Sequence, residues 1–115
     1  MKIYHNPRCR KSREGLAILQ DAKIEPEIID YIKNPISFEE LADILRKLDI
    51  PAIDLVRKNE AIWKEQYRGK ELSETEVLKV MEANPKLMER PLVVKGKKAV
   101  LGRPPENVLS LLNQG

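Results

Sequence analysis

The first 31 residues change hydrophobic period twice, and that change constrains the fold more than any other feature of the chain. Met1–Tyr4 alternates apolar and polar side chains and runs into His5-Asn6-Pro7, the pattern of a short strand ending in a turn. From Arg10 to Ala22 the apolar residues Leu16, Ala17, Ile18 and Leu19 fall without any proline, as in an amphipathic helix. Glu27–Tyr31, after Pro26, returns to a strand-like run. Strand, helix and strand in so short a span form a βαβ unit, with parallel strands and a right-handed crossover. The chain is therefore of the α/β class.

The period then becomes helical and stays so. Asn34-Pro35 breaks the chain, and Ser37 with Glu40 gives a capping box ahead of Leu41, Ile44, Leu45 and Leu48. Pro51 can open a short helix through Leu55, and Ala61–Tyr67 predicts another. Ser73 and Glu76 repeat the capping box ahead of Val77, Val80 and Met81, with Asn84-Pro85 as the stop. Beyond it, Pro91–Val94 and Lys98–Leu101 flank Lys95-Gly96-Lys97 as a β-hairpin. Pro105 begins a closing helix that carries Val108, Leu109, Leu111 and Leu112. The order βαβ, helical insert at about residues 36–89, then ββα, predicts a mixed four-stranded sheet of thioredoxin-like arrangement in one domain, 1–115.

Composition removes several classes of function. Charged residues are 34% and hydrophobic residues 42% of the 115, the balance of a soluble globular chain. A net charge of +3 with both signs interleaved argues against a nucleic-acid partner, and five aromatic residues are too few for a base-stacking surface. No apolar run suits a membrane span or a signal peptide, so a cytoplasmic protein with no membrane partner is expected. One cysteine forms no internal disulfide, and one cysteine with one histidine cannot build a soft-ligand metal site.

That cysteine, Cys9, stands where the first loop enters the first helix. Unpaired N–H groups and the positive end of the helix dipole favour thiolate over thiol at such a place. Arg8, Arg10, Lys11 and Arg13 surround it, and cations at a helix N-terminus oppose the dipole unless an anion is there too. The cluster points to a thiolate, an anionic ligand, or both. A two-unit fall in a thiol's pKa takes roughly 2.7 kcal/mol, which a helix dipole and one or two cations can supply. A lone cysteine is most often a small buried hydrophobe, but Cys9 lies in a polar turn rather than on an apolar stripe. Arg90 and Arg103 each precede a proline, which biases both to extended backbone.

Four segments together resemble the glutaredoxin-coupled arsenate reductase (ArsC) family. They are His5-Asn6-Pro7-x-Cys9-x-Lys11-Ser12-Arg13, Leu55-Val56-Arg57-Lys58-Asn59, Glu89-Arg90-Pro91-Leu92-Val93-Val94 and Gly102-Arg103-Pro104, in family order from residue 3 to residue 112. The resemblance implies a thioredoxin-like fold with a helical insert, and Cys9 as the nucleophile that attacks the arsenic of arsenate. Arg57, Arg90 and Arg103 would surround the oxyanion. His5, Asn6, Ser12 and Arg13 would support the thiolate, and Pro91 would be a cis proline beside it. No bound cofactor and no metal are implied; glutathione is the reducing co-substrate and glutaredoxin the protein partner. Arg10 and Lys11 stand where the well-known members carry small neutral residues. Two other functions fit the same scaffold: a glutathione-dependent thiol reductase acting on another substrate, and a Spx-type regulator that binds RNA polymerase. Such regulators typically carry a second cysteine where this chain has Ser12.

Overall fold

In a computed structural model, which describes residues 1–113, strand β1 (Lys2–His5) lies inside a four-stranded mixed sheet of order β2-β1-β3-β4. It pairs in parallel with β2 (Glu27–Asp30), His5 opposite Asp30, and antiparallel with β3 (Leu92–Lys95), Ile3 opposite Val93. Helix α1 (Arg10–Asp21) is the crossover between the parallel strands. The hairpin from β3 to β4 (Lys98–Leu101) turns at Gly96, whose φ of +61° is a conformation that glycine adopts without steric cost. β2 is an edge strand, which explains why its Ile28 is 49% exposed.

The core of this part is Ile3, Leu19, Val93, Val108 and Leu111, each at most 2% exposed, so α1 and the closing segment cover the Ile3–Val93 face. That closing segment, Pro105–Asn113, is a 3₁₀ helix rather than the α-helix that its apolar spacing suggests. Its entry explains the tighter winding. The Pro104 carbonyl accepts the Asn107 N–H at 3.0 Å, an i→i+3 bond, and the Asn107 side chain donates to the Arg103 carbonyl.

The chain forms two compact units, one made from residues up to Asn34 and from Arg90 onward, the other from Pro35–Glu89. The second unit is the helical insert: α2 (Phe38–Leu48), α3 (Ala61–Gln66) and α4 (Glu74–Ala83), with 3₁₀ turns at Ala52–Leu55 and Pro85–Leu87. Ser37 accepts the Glu40 N–H at the start of α2, and at α4 both halves of the Ser73–Glu76 box are formed. Leu41, Ile44 and Leu45 of α2 and Val77, Leu78 and Met81 of α4 are buried, and the two helices pack together. One pairing was not legible as helix or loop: Val56 and Met88 form an antiparallel bridge, flanked by bonds from the Arg57 N–H to the Leu87 carbonyl and the Glu89 N–H to the Leu55 carbonyl. No helix among the described residues is long and apolar enough to cross a membrane.

Candidate active site

Cys9 is the N-cap residue of α1, with extended φ/ψ of −95° and 122°, and is partly exposed. The turn that delivers it is tied at several points. The Asn6 carbonyl accepts the Cys9 N–H at 2.9 Å, Asn6 Oδ1 accepts the Arg8 N–H at 3.0 Å, and Arg13 Nη1 donates to the Pro7 carbonyl at 2.9 Å. Helix N-caps are usually Ser, Thr, Asp or Asn, whose oxygen takes an orphan N–H of the first turn. Here sulfur holds that position. The Lys11 and Ser12 N–H groups interact with it, although no formed cap hydrogen bond results, and the first turn contains no acidic residue to compete for them.

The charge beside the sulfur comes from far along the chain. Arg90, one residue ahead of Pro91 and 6% exposed, hydrogen-bonds Cys9 and adds its positive charge. Burial pushes the thiol up. The Ser12 N–H, the hydrogen bond and charge of Arg90, and the Lys11 N–H outweigh it, and the Cys9 pKa is lowered. Arg90 is held in turn: Arg103 Nε donates to its carbonyl at 2.9 Å, and the Gly102 N–H donates to the Pro91 carbonyl at 2.8 Å. The Arg90–Pro91 peptide is cis, the form implied for Pro91 by the family resemblance, and the Arg103–Pro104 peptide is cis as well.

Behind the sulfur lies a buried polar pair. Ser12 is fully buried, and its Oγ accepts the Asn6 N–H at 3.0 Å and lies 2.6 Å from His5 Nδ1. Burial lowers the His5 pKa; Asp30 across the sheet raises it, Arg13 lowers it, and the net direction is down. His5 Nδ1 and Ser12 Oγ share a hydrogen bond whose donor is set by the imidazole tautomer. Ser12 therefore divides its work. Its N–H faces Cys9 while its hydroxyl joins His5 to the turn at Asn6.

Cys9, Arg90 and Arg103 are thus linked within the first unit, with His5, Asn6, Ser12, Arg13 and Pro91 around them. Arg57 belongs to the second unit, where its guanidinium pairs with Glu60 and its N–H bonds the Leu87 carbonyl. Two of the four cations next to Cys9 in sequence are otherwise engaged. Arg10 Nε bonds Glu14 at 3.0 Å on an exposed helix face, and Arg13 reaches Pro7. Glu60 was not foreseen; it meets Arg57 across the turn that leads into α3. A cleft of about 370 Å³ in the second unit, lined by residues such as Leu45, Ile50, Pro51 and Leu78, contains none of these groups.

Comparison with known proteins finds relatives along nearly the whole chain. The model of the ArsC family matches residues 4–111. The chain is 46% identical over 114 residues to YfgD, an uncharacterized protein of Escherichia coli K12, covering 97% of this chain and 96% of that one. It is 41% identical over 112 residues to a protein of Haemophilus influenzae named arsenate reductase, covering 96% and 97%. The solved structure of arsenate reductase from Vibrio cholerae matches with a TM-score of 0.91 at 41% identity, covering 96% of this chain and 97% of that one.

Proposed function

The chain belongs to the ArsC family, and on that premise we propose that it reduces arsenate to arsenite, with Cys9 as nucleophile, glutathione as reducing co-substrate and glutaredoxin as partner. One observation carries the reading: Cys9 stands at the N-cap position of α1 beside the buried Arg90, so that backbone N–H groups and a guanidinium both favour thiolate. Relatives named arsenate reductase support the choice of oxyanion.

In this account the Cys9 thiolate attacks arsenic(V), an S–As bond forms, and an arsenate oxygen leaves as hydroxide. The charge that moves from sulfur to the oxyanion stays beside Arg90 throughout, and arginine's fixed fork of donors suits a tetrahedral oxyanion. Arg103, bonded to the Arg90 carbonyl, belongs to the arginine set that the family resemblance implies. A glutathione thiolate then attacks the Cys9 sulfur. The S–As electron pair goes to arsenic, which leaves as arsenic(III), and the two sulfurs are oxidised to a mixed disulfide. Because the chain has a single cysteine, the resolving thiol comes from another molecule. A glutaredoxin thiol takes up the glutathionyl group and returns Cys9 as thiolate.

The test is arsenate-dependent NADPH oxidation with glutathione, glutaredoxin and glutathione reductase supplied, comparing the wild type with Cys9→Ser. Turnover that disappears in the variant is the expected result. Substantial activity in Cys9→Ser would remove Cys9 as nucleophile. No turnover from wild type whose thiol still alkylates rapidly would move the substrate to a thiol or disulfide.

A further inference from the structure

We infer that Gly15 and Gly102 are positioning residues for Cys9: by lacking side chains they form the seat of the Pro91 ring, and that seat holds Arg90 against the sulfur. The inference rests on Cys9 being the reacting group of the proposed reductase and adds to it two residues that touch neither sulfur nor substrate.

Steric space is the reason both positions are glycine. A Cβ on Gly15 would lie 2.6 Å from Pro91 Cγ, and one on Gly102 would lie 2.7 Å from the same atom and 3.0 Å from Val108 Cγ1. Real Cβ atoms essentially never come this close to another heavy atom. Gly69 and Gly96 make the contrast. Their φ values are +84° and +61°, and an added Cβ would meet nothing within 4 Å, so backbone conformation explains them. Gly15 and Gly102 have no such conformation to explain them. Gly15 lies inside α1, where glycine is less favourable than alanine, so the helix gives up stability to admit the ring.

The seat joins the two halves of the thiolate environment. Gly15 follows Ser12 by three residues on the buried side of α1, and the Ser12 N–H faces the sulfur. On the other side, Pro91 is bonded directly to Arg90, and the segment that carries Gly102 grips both: the Gly102 N–H donates to the Pro91 carbonyl and Arg103 Nε to the Arg90 carbonyl. A methyl group at either glycine must push the ring away by several tenths of an ångström. The first turn of α1 and the Arg90 guanidinium then separate, and sulfur loses the contact that steadies its charge.

Iodoacetamide alkylation of Cys9 against pH, read by mass spectrometry, tests this in Gly15→Ala, Gly102→Ala, Pro91→Ala and Leu111→Ala. The first three should raise the pH midpoint and slow alkylation at pH 7 by about threefold or more. Leu111→Ala, which empties part of the core without touching the seat, should destabilise the protein and leave the midpoint in place. A folded glycine variant with the wild-type midpoint overturns the inference. If neither glycine variant folds, Pro91→Ala decides, and an unmoved midpoint there overturns it as well. Alkylation needs no arsenate, so loss of the arsenate reading would show separately, as absent turnover in a wild type with an intact midpoint.

Discussion

The Arg90 guanidinium hydrogen-bonds the Cys9 sulfur although 81 positions separate the two residues in the chain. The sheet makes the meeting. β1 runs into the turn that ends at Cys9, β3 begins just after Arg90-Pro91, and the two strands pair antiparallel with Tyr4 opposite Leu92. The end of one strand and the start of the other therefore come to the same edge, where α1 also begins. Sulfur there meets two sources of positive potential, the N-terminal N–H groups of a helix and a buried guanidinium.

Replacing Arg90 should show how much each source supplies. Arg90→Ala removes both the hydrogen bond and the charge, so the thiol pKa rises and alkylation at pH 7 slows by at least about threefold. Arg90→Lys retains a charge but not the planar fork, and its rate should fall between the two. Equal alkylation profiles in wild type and Arg90→Ala would leave the helix terminus as the whole cause.

Ser12→Ala separates a backbone role from a side-chain role. The substitution deletes the hydroxyl that meets His5 Nδ1 and the Asn6 N–H, both at buried or partly buried positions, at a cost of about 1–3 kcal/mol. The N–H that faces sulfur remains. Thermal unfolding should therefore report a clear loss of stability, while the alkylation midpoint moves less than in Arg90→Ala. A midpoint shift as large as that of Arg90→Ala, with stability unchanged, would reverse the assignment.

His5 should give the stability a pH dependence of known sign. Its folded-state pKa lies below the unfolded value of about 6.5, chiefly because burial disfavours the charged ring. Above pH 6.5 the ring is neutral in both states, and its contribution is complete. As the pH falls through 6.5 toward the lowered folded value, the unfolded chain takes up a proton that the folded chain does not, and stability falls by at most about 1.4 kcal/mol per pH unit. Urea unfolding at pH 7.5 and 5.5 should show this loss in wild type and a smaller one in His5→Asn. Identical losses in the two proteins would contradict it.

What the sequence made legible was local. The βαβ period, the capping residues Ser37 and Ser73, the Gly96 turn and the stop at Asn84-Pro85 depend on neighbours within a few positions, and each appears close to where the pattern puts it. Cys9 at the mouth of α1 was legible for the same reason. The origin of its positive surroundings was not. Charges adjacent in sequence drew attention to Arg10 and Arg13, yet one bonds Glu14 and the other Pro7, and the guanidinium beside sulfur arrives through the β1–β3 register. The partition of Ser12 between Cys9 and His5 also depends on tertiary geometry, as does the reason for a glycine in the middle of α1. The winding of Pro105–Asn113 escaped the apolar spacing because its entry is fixed by an i→i+3 bond from Pro104.

The central claim is that this fold lowers the Cys9 pKa and so favours the thiolate that would attack an oxyanion. The most direct measurement is the alkylation rate of wild-type Cys9 from pH 4 to 10, with the single cysteine making the assignment unambiguous. The account predicts a midpoint below the value of about 8.5 found for an unperturbed thiol. A midpoint at or above 8.5 would contradict it, because burial would then outweigh the helix N–H groups and Arg90 together.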